Sequence, residues 1–163
     1  MAAVNLVSTL LMGAVLLVIA FGINGVRTWA TWIALAGIRD KPSEIKMVAL
    51  ARARMCAKLC DALGGRFRDR FFTVGLFSAV DALLDLPMEE ALQPLPLSED
   101  VTAAILHHSG QMGRALDATL GYERGEWERA DQLGLPPGRI KDIYLDALQW
   151  ARDIDETLHS DAP

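Results

Sequence analysis

Two of the chain's three histidines are neighbours, in the run Ile105-Leu106-His107-His108-Ser109-Gly110. Imidazole is the commonest metal ligand. A metal held by histidines and aspartates from several helices can activate water for phosphate-ester hydrolysis. That chemistry needs a histidine, a His-Asp dipeptide and a further aspartate. The chain has no His-Asp dipeptide, because His159 is followed by Ser160 and only then by Asp161. On a helix His107 and His108 diverge by about 100°, so they do not converge on one ion. No acid stands three or four residues from either. The pair therefore reads as a helix C-terminus, where imidazole is favourable against the helix dipole.

Cys56 and Cys60 share a helix face at i, i+4. With a histidine they would form part of a zinc site, but structural zinc sites use four ligands in tighter knuckles. Two small buried hydrophobes are the simpler reading. The run Gly64-Gly-Arg-Phe-Arg-Asp-Arg-Phe-Phe72 interleaves Arg66, Arg68 and Arg70 with aromatics. It suits a phosphate or nucleotide, or equally a solvated helix start with Phe67, Phe71 and Phe72 turned to the core. Glu90-Ala91-Leu92 spells the tripeptide that names the EAL cyclic di-GMP phosphodiesterases. Those enzymes need a large α/β barrel with carboxylates on several strands, and no strand pattern occurs here. No glycine-rich phosphate loop, G-x-S-x-G elbow or spaced acid pair is present.

The elements that must position these residues are helical. The 163 residues suit one domain with a real core. Hydrophobic residues make up 52%, dominated by Leu and Ala, which points to helix. Two cysteines one helical turn apart fit a reducing compartment. The net charge of −5 argues against nucleic acid as the main partner. It conceals an asymmetry: residues 1–70 carry ten Lys/Arg and four Asp/Glu, residues 71–163 six and seventeen.

No charged side chain precedes Arg27, and Leu10–Ile23 is unbroken apolar. Residues 3–23 are long enough to cross a bilayer, which takes about 20 residues. The lysines and arginines that follow would then hold the rest in the cytoplasm. The competing reading is a helix that is apolar all round because it is buried. Further on, Asn24–Ala36 has helical spacing, Gly37–Lys41 is a stop, and Pro42 restarts a helix. Ser43–Leu63 reads as one amphipathic helix, with Met47, Leu50, Met55, Leu59 and Leu63 inward and Lys46, Arg54 and Lys58 in water. Phe71–Leu86 reads as one central buried helix. Pro87 opens a short helix, and Ser98 caps another ending near His108. Gln111–Tyr122, Gly125–Leu133 and Arg139–Leu158 complete the set.

From about Gly22 to Leu133 the sequence resembles one family. The run Phe21–Leu59, the run Phe71–Leu106, and Met112–Ala130 with its Tyr122-Glu-Arg-Gly-Glu-Trp127 signature follow the pattern of HDOD domains. These are the HD-related output domains of bacterial signalling, and the likeness is strongest to proteins that join an EAL domain to an HDOD domain. The resemblance implies an HD-like helical fold without metal ligands, working as a regulatory module. It supplies no catalytic residues. The pattern's first helices are not matched by residues 1–20, so the apolar start, a second copy in a homodimer, or a bilayer must cover the surface they would protect. The resemblance favours a packed N-terminal helix.

The sequence therefore predicts an all-α bundle of about seven to eight helices. Residues 1–21 form an apolar helix, 22–158 the HDOD-like body and 159–163 a frayed tail. The expected role is non-catalytic regulation by protein contact in the cytoplasm, with no metal and no cofactor. The alternatives are a membrane-anchored regulator spanning through residues 3–23, and a degenerate HD-type metal phosphohydrolase.

Overall fold

A computed structural model describes residues 43–160. The apolar start at 1–21, the helix at Asn24–Ala36, the stop at Gly37–Lys41 and Pro42 lie outside the described residues, as do residues 161–163. The described residues are all-helical, with no strand among them. In chain order the helices are α1 (Ser43–Ala62), α2 (Arg68–Phe77), α3 (Val80–Leu84), α4 (Met88–Leu92), α5 (Glu99–His107), α6 (Gly110–Arg124), α7 (Trp127–Asp131) and α8 (Pro137–Ser160).

Helix α1 is the hub, packed against α2, α6 and α8. Its small residues make that possible. Ala49, Ala53 and Ala57 recur every fourth residue and are at most 2% exposed, so partner helices approach its backbone closely. Met55 and Leu59 fill the centre with Phe77, Leu76, Leu116 and Ile140. The closest approach is at Gly75 of α2, where a Cβ would stand 2.6 Å from the carbonyl carbon of Arg52. Along α8, Ile140, Ile143, Ala147 and Ala151 are buried on one face, as their spacing predicts.

The segment Phe71–Leu86 is not the single helix its apolar run suggests. It breaks between Phe77 and Val80. The Ser78 hydroxyl donates to the Gly75 carbonyl at 2.7 Å, and the Ser78 carbonyl is taken at 3.2 Å by the Arg52 guanidinium. A serine bonded back to its own turn competes with helix continuation, and Ala79 leaves the helical region at φ −120°. Ser98 does stand at the N-cap of α5, yet its side chain caps no amide there. Helix α8 continues through Ser160, past the expected end at Leu158.

The charge asymmetry has a structural outcome. Basic residues of α1 and α2 pair with acids of the later helices: Arg52 with Glu123, Arg54 and Lys58 with Asp146, and Arg70 with Asp100. Arg54 and Lys58, expected in open water, are half-buried against α8, where Arg54 also stacks on the Trp150 ring at 5.4 Å. The ring of Trp150 in turn meets Phe72 edge-on at 6.1 Å.

Candidate functional site

The paired histidines sit at the corner between α5 and α6. His107 is the last residue of α5 and is exposed. His108 is its C-cap, in the left-handed region at φ 51°. Gly110 follows at φ 69°, and a Cβ on Gly113 would collide with the His108 backbone, so the corner is tight. The turn aims His108 back over α6, where its Nδ1 lies 2.8 Å from Asp117 Oδ1. Arg129 of α7 grips the same carboxylate and also pairs with Glu126 at 2.5 Å. The Arg129 hydrogen bonds, foremost among several causes, hold the Asp117 carboxyl below its usual range. The pair is thus a helix cap, as its sequence indicates, joined to a polar chain His108–Asp117–Arg129–Glu126. Sequence spacing gave no sign of Asp117, which is nine residues from His108. Among the described residues, no group of three or more His, Cys, Asp or Glu side chains could hold a metal ion.

Cys56 and Cys60 are free thiols buried in the core. Thr119 donates its hydroxyl to Ala115 O at 2.8 Å, which leaves Cys56 to donate its S–H to Thr119 Oγ1 at 3.5 Å. Burial pushes the Cys56 thiol up to about 12, far from the thiolate that metal binding or nucleophilic attack requires. Both cysteines pack as small hydrophobes.

A second polar knot lies at the heart of the bundle. The Arg52 guanidinium meets both carboxylate oxygens of Glu123, with Nε at 3.1 and 3.0 Å and Nη2 at 2.9 Å, while Nη1 takes the Ser78 carbonyl. One arginine thereby ties α1 to α6 and to the break after α2. Both side chains are under 20% exposed.

Glu123 belongs to the Tyr122–Trp127 signature, and the structure gives that signature a shape. Gly125, at φ 74°, ends α6 and turns the chain into α7. The turn brings Trp127 edge-on to Tyr122 at 5.0 Å, and Tyr122 tilts against Tyr144 of α8 at 4.9 Å. Trp127 stays 57% exposed. A shallow groove of about 400 Å³ opens beside it, lined by Tyr122, Trp127, Asp131, Ile140 and Lys141 among others. Aromatic side chains with one wet edge are characteristic of protein contact surfaces. Tyr144 and Lys141 were not evident as parts of this surface from their position on α8.

The basic–aromatic run also departs from expectation. Phe71 is 3% exposed and Phe72 half-buried, but Phe67 is 63% exposed. It precedes α2 instead of filling the core. Arg68 pairs with Asp61, and Arg70 with Asp100 of α5. In the EAL tripeptide, Ala91 and Leu92 are buried packing residues of α4.

No helix among the described residues is long and apolar enough to cross a membrane, and residues 3–23 lie outside them. The chain is similar to the cyclic di-GMP phosphodiesterase CdgJ of Vibrio cholerae, at 30% identity over 123 residues, covering 72% of this chain and 28% of that protein. It is also similar to the uncharacterized protein YuxH of Bacillus subtilis, at 27% identity over 143 residues, covering 84% of this chain and 35% of that one. The chain thus spans about a third of these relatives or less. No family model matches it. No solved structure matches it.

Proposed function

We propose that the chain is an HDOD-like regulatory module of cytoplasmic cyclic di-GMP signalling, acting by protein contact and not by hydrolysis. The observation that carries this reading is the similarity to 28% of a phosphodiesterase, alongside described residues that are all-helical. The exposed Trp127 edge of the aromatic groove is the contact surface this reading assigns. Its histidine–aspartate contact is engaged by Arg129 at the same carboxylate, which suits holding α5, α6 and α7 together.

The test is turnover of cyclic di-GMP by the purified full chain with Mg²⁺ or Mn²⁺ present. No turnover is expected. Turnover that disappears on His107→Ala and His108→Ala would contradict the reading and favour a metal phosphohydrolase.

A further inference from the structure

The loop between α1 and α2 holds a feature that the packing of the bundle does not require. Phe67 is the most exposed large hydrophobic side chain among the described residues, at 63%. Isolated exposed apolar residues are ordinary on a protein surface, but this one is held in place from several sides. The Phe67 backbone amide faces the buried Cys60 thiol closely enough to favour its charged form. Gly65, whose own N–H reaches the Cys60 carbonyl at 2.8 Å, lies so close that a Cβ there would stand 2.6 Å from that sulfur. Gly64 makes the preceding turn at φ 69°. The Phe67 carbonyl accepts the amides of Arg70 at 2.9 Å and Phe71 at 3.3 Å. The loop therefore presents its aromatic ring on a backbone anchored to both helices.

One face of that ring is already occupied. The Arg70 guanidinium lies 5.2 Å from the ring centroid and is fixed there by Asp100 of α5. With Arg70 on one face and most of the side chain in solvent, the opposite face is left open. Arg68 pairs with Asp61. Arg66 is exposed and has no ion pair among the described residues. Asp69, in the first turn of α2, is the one further acid between Gly64 and Phe77. The local charge is nearly balanced, which disfavours a polyanion such as RNA. Among the described residues, what remains is one open aromatic face and one uncommitted guanidinium.

We propose that Phe67 and Arg66 form a docking platform for a nucleotide, with a planar base stacked on the open face of Phe67 and one phosphate gripped by Arg66. An aromatic ring accepts any base by its π-face, and a guanidinium offers paired donors to phosphate oxygens. With a polyanion disfavoured, the ligand that matches one ring face and one guanidinium is a small phosphodiester-linked nucleotide, with one charge for each base. This identification as cyclic di-GMP rests on the signalling reading proposed above, since that molecule carries one charge per base.

The test is an anisotropy titration of fluorescently labelled cyclic di-GMP with the full chain, repeated with Phe67→Ala, Arg66→Ala and Phe67→Trp. Saturable binding is expected. Phe67→Ala and Arg66→Ala are each expected to weaken it by about tenfold or more, and Phe67→Trp to preserve it. Because both side chains are exposed, the thermal midpoints of the variants are expected to match the parent, which separates lost binding from lost folding. Absence of saturation up to about 1 mM, or undiminished binding by Phe67→Ala, overturns the proposal. So does binding of an acidic peptide with no response to the nucleotide. If the chain alters cellular cyclic di-GMP yet binds none, this platform is wrong while the regulatory reading stands.

Discussion

Replacing Gly75 by alanine sets two effects against each other. Alanine is the better helix former, by about 1 kcal/mol. Against this, the new methyl would stand 2.6 Å from the carbonyl carbon of Arg52 and 2.7 Å from Ala53 Cα. Ordinary carbon contacts need about 3.5 Å, so α1 and α2 must separate by roughly 1 Å. The obstruction is backbone, which has no rotamer to escape into. Overpacking of this kind costs about 1–3 kcal/mol, and the rigid partner places this site at the upper end. The displacement also moves Arg52, whose guanidinium holds both Glu123 and the Ser78 carbonyl. The net expectation is a destabilisation of about 2 kcal/mol, a large share of the about 5–15 kcal/mol typical of a domain. Urea unfolding followed by far-UV circular dichroism measures it. Gly138→Ala is the internal control, because a Cβ there meets nothing within 4 Å. It is expected to be neutral or stabilising by up to about 1 kcal/mol. A Gly75→Ala midpoint equal to or above the parent would refute the close helix crossing on which the architecture rests.

Other expectations follow from the polar contacts. Arg52→Ala leaves Glu123 and the Ser78 carbonyl without their partner, and should cost about 2–3 kcal/mol. A double-mutant cycle with Glu123→Gln is expected to show strong coupling, and additive losses would contradict the shared knot. The folded-state pKa of Asp117 is depressed chiefly by its hydrogen bonds to Arg129. The stability it contributes is therefore full above the ordinary carboxylate value and is lost as pH falls through the folded pKa. Thermal midpoints measured from pH 7 down to about 3 should fall steeply below about pH 4, less so for Asp117→Asn; identical curves would discount the contact. Cys56, buried and pushed up to about 12, should resist iodoacetamide at pH 8 in the folded chain and react once unfolded. Equal labelling in both states would place the thiol outside the core.

Helix type and the broad placement of the helices were legible in the sequence because the periodicity is strong. The α8 face of Ile140, Ile143, Ala147 and Ala151 is an example. The break after Phe77 was not legible, because an almost wholly apolar run carries no mark of a carbonyl captured by an arginine one helix away. The exposure of Phe67 was also hidden. Its neighbours Phe71 and Phe72 turn inward, and only the glycine turn clamped on Cys60 explains why Phe67 does not. The histidine corner was half legible. Its cap position could be read from how imidazole suits a helix C-terminus, but Asp117 joins it across a turn where spacing rules do not reach. The charge asymmetry was plain in the sequence, and its meaning became visible only when basic α1 was seen against the acids of α6 and α8.

The most direct test of the proposed regulatory role is the cyclic di-GMP content of cells with the chain present, absent, and restored as Trp127→Ala. Removal is expected to change the nucleotide level, the parent chain to restore it, and Trp127→Ala to fail while remaining folded. Nucleotide levels indifferent to the chain would contradict the account.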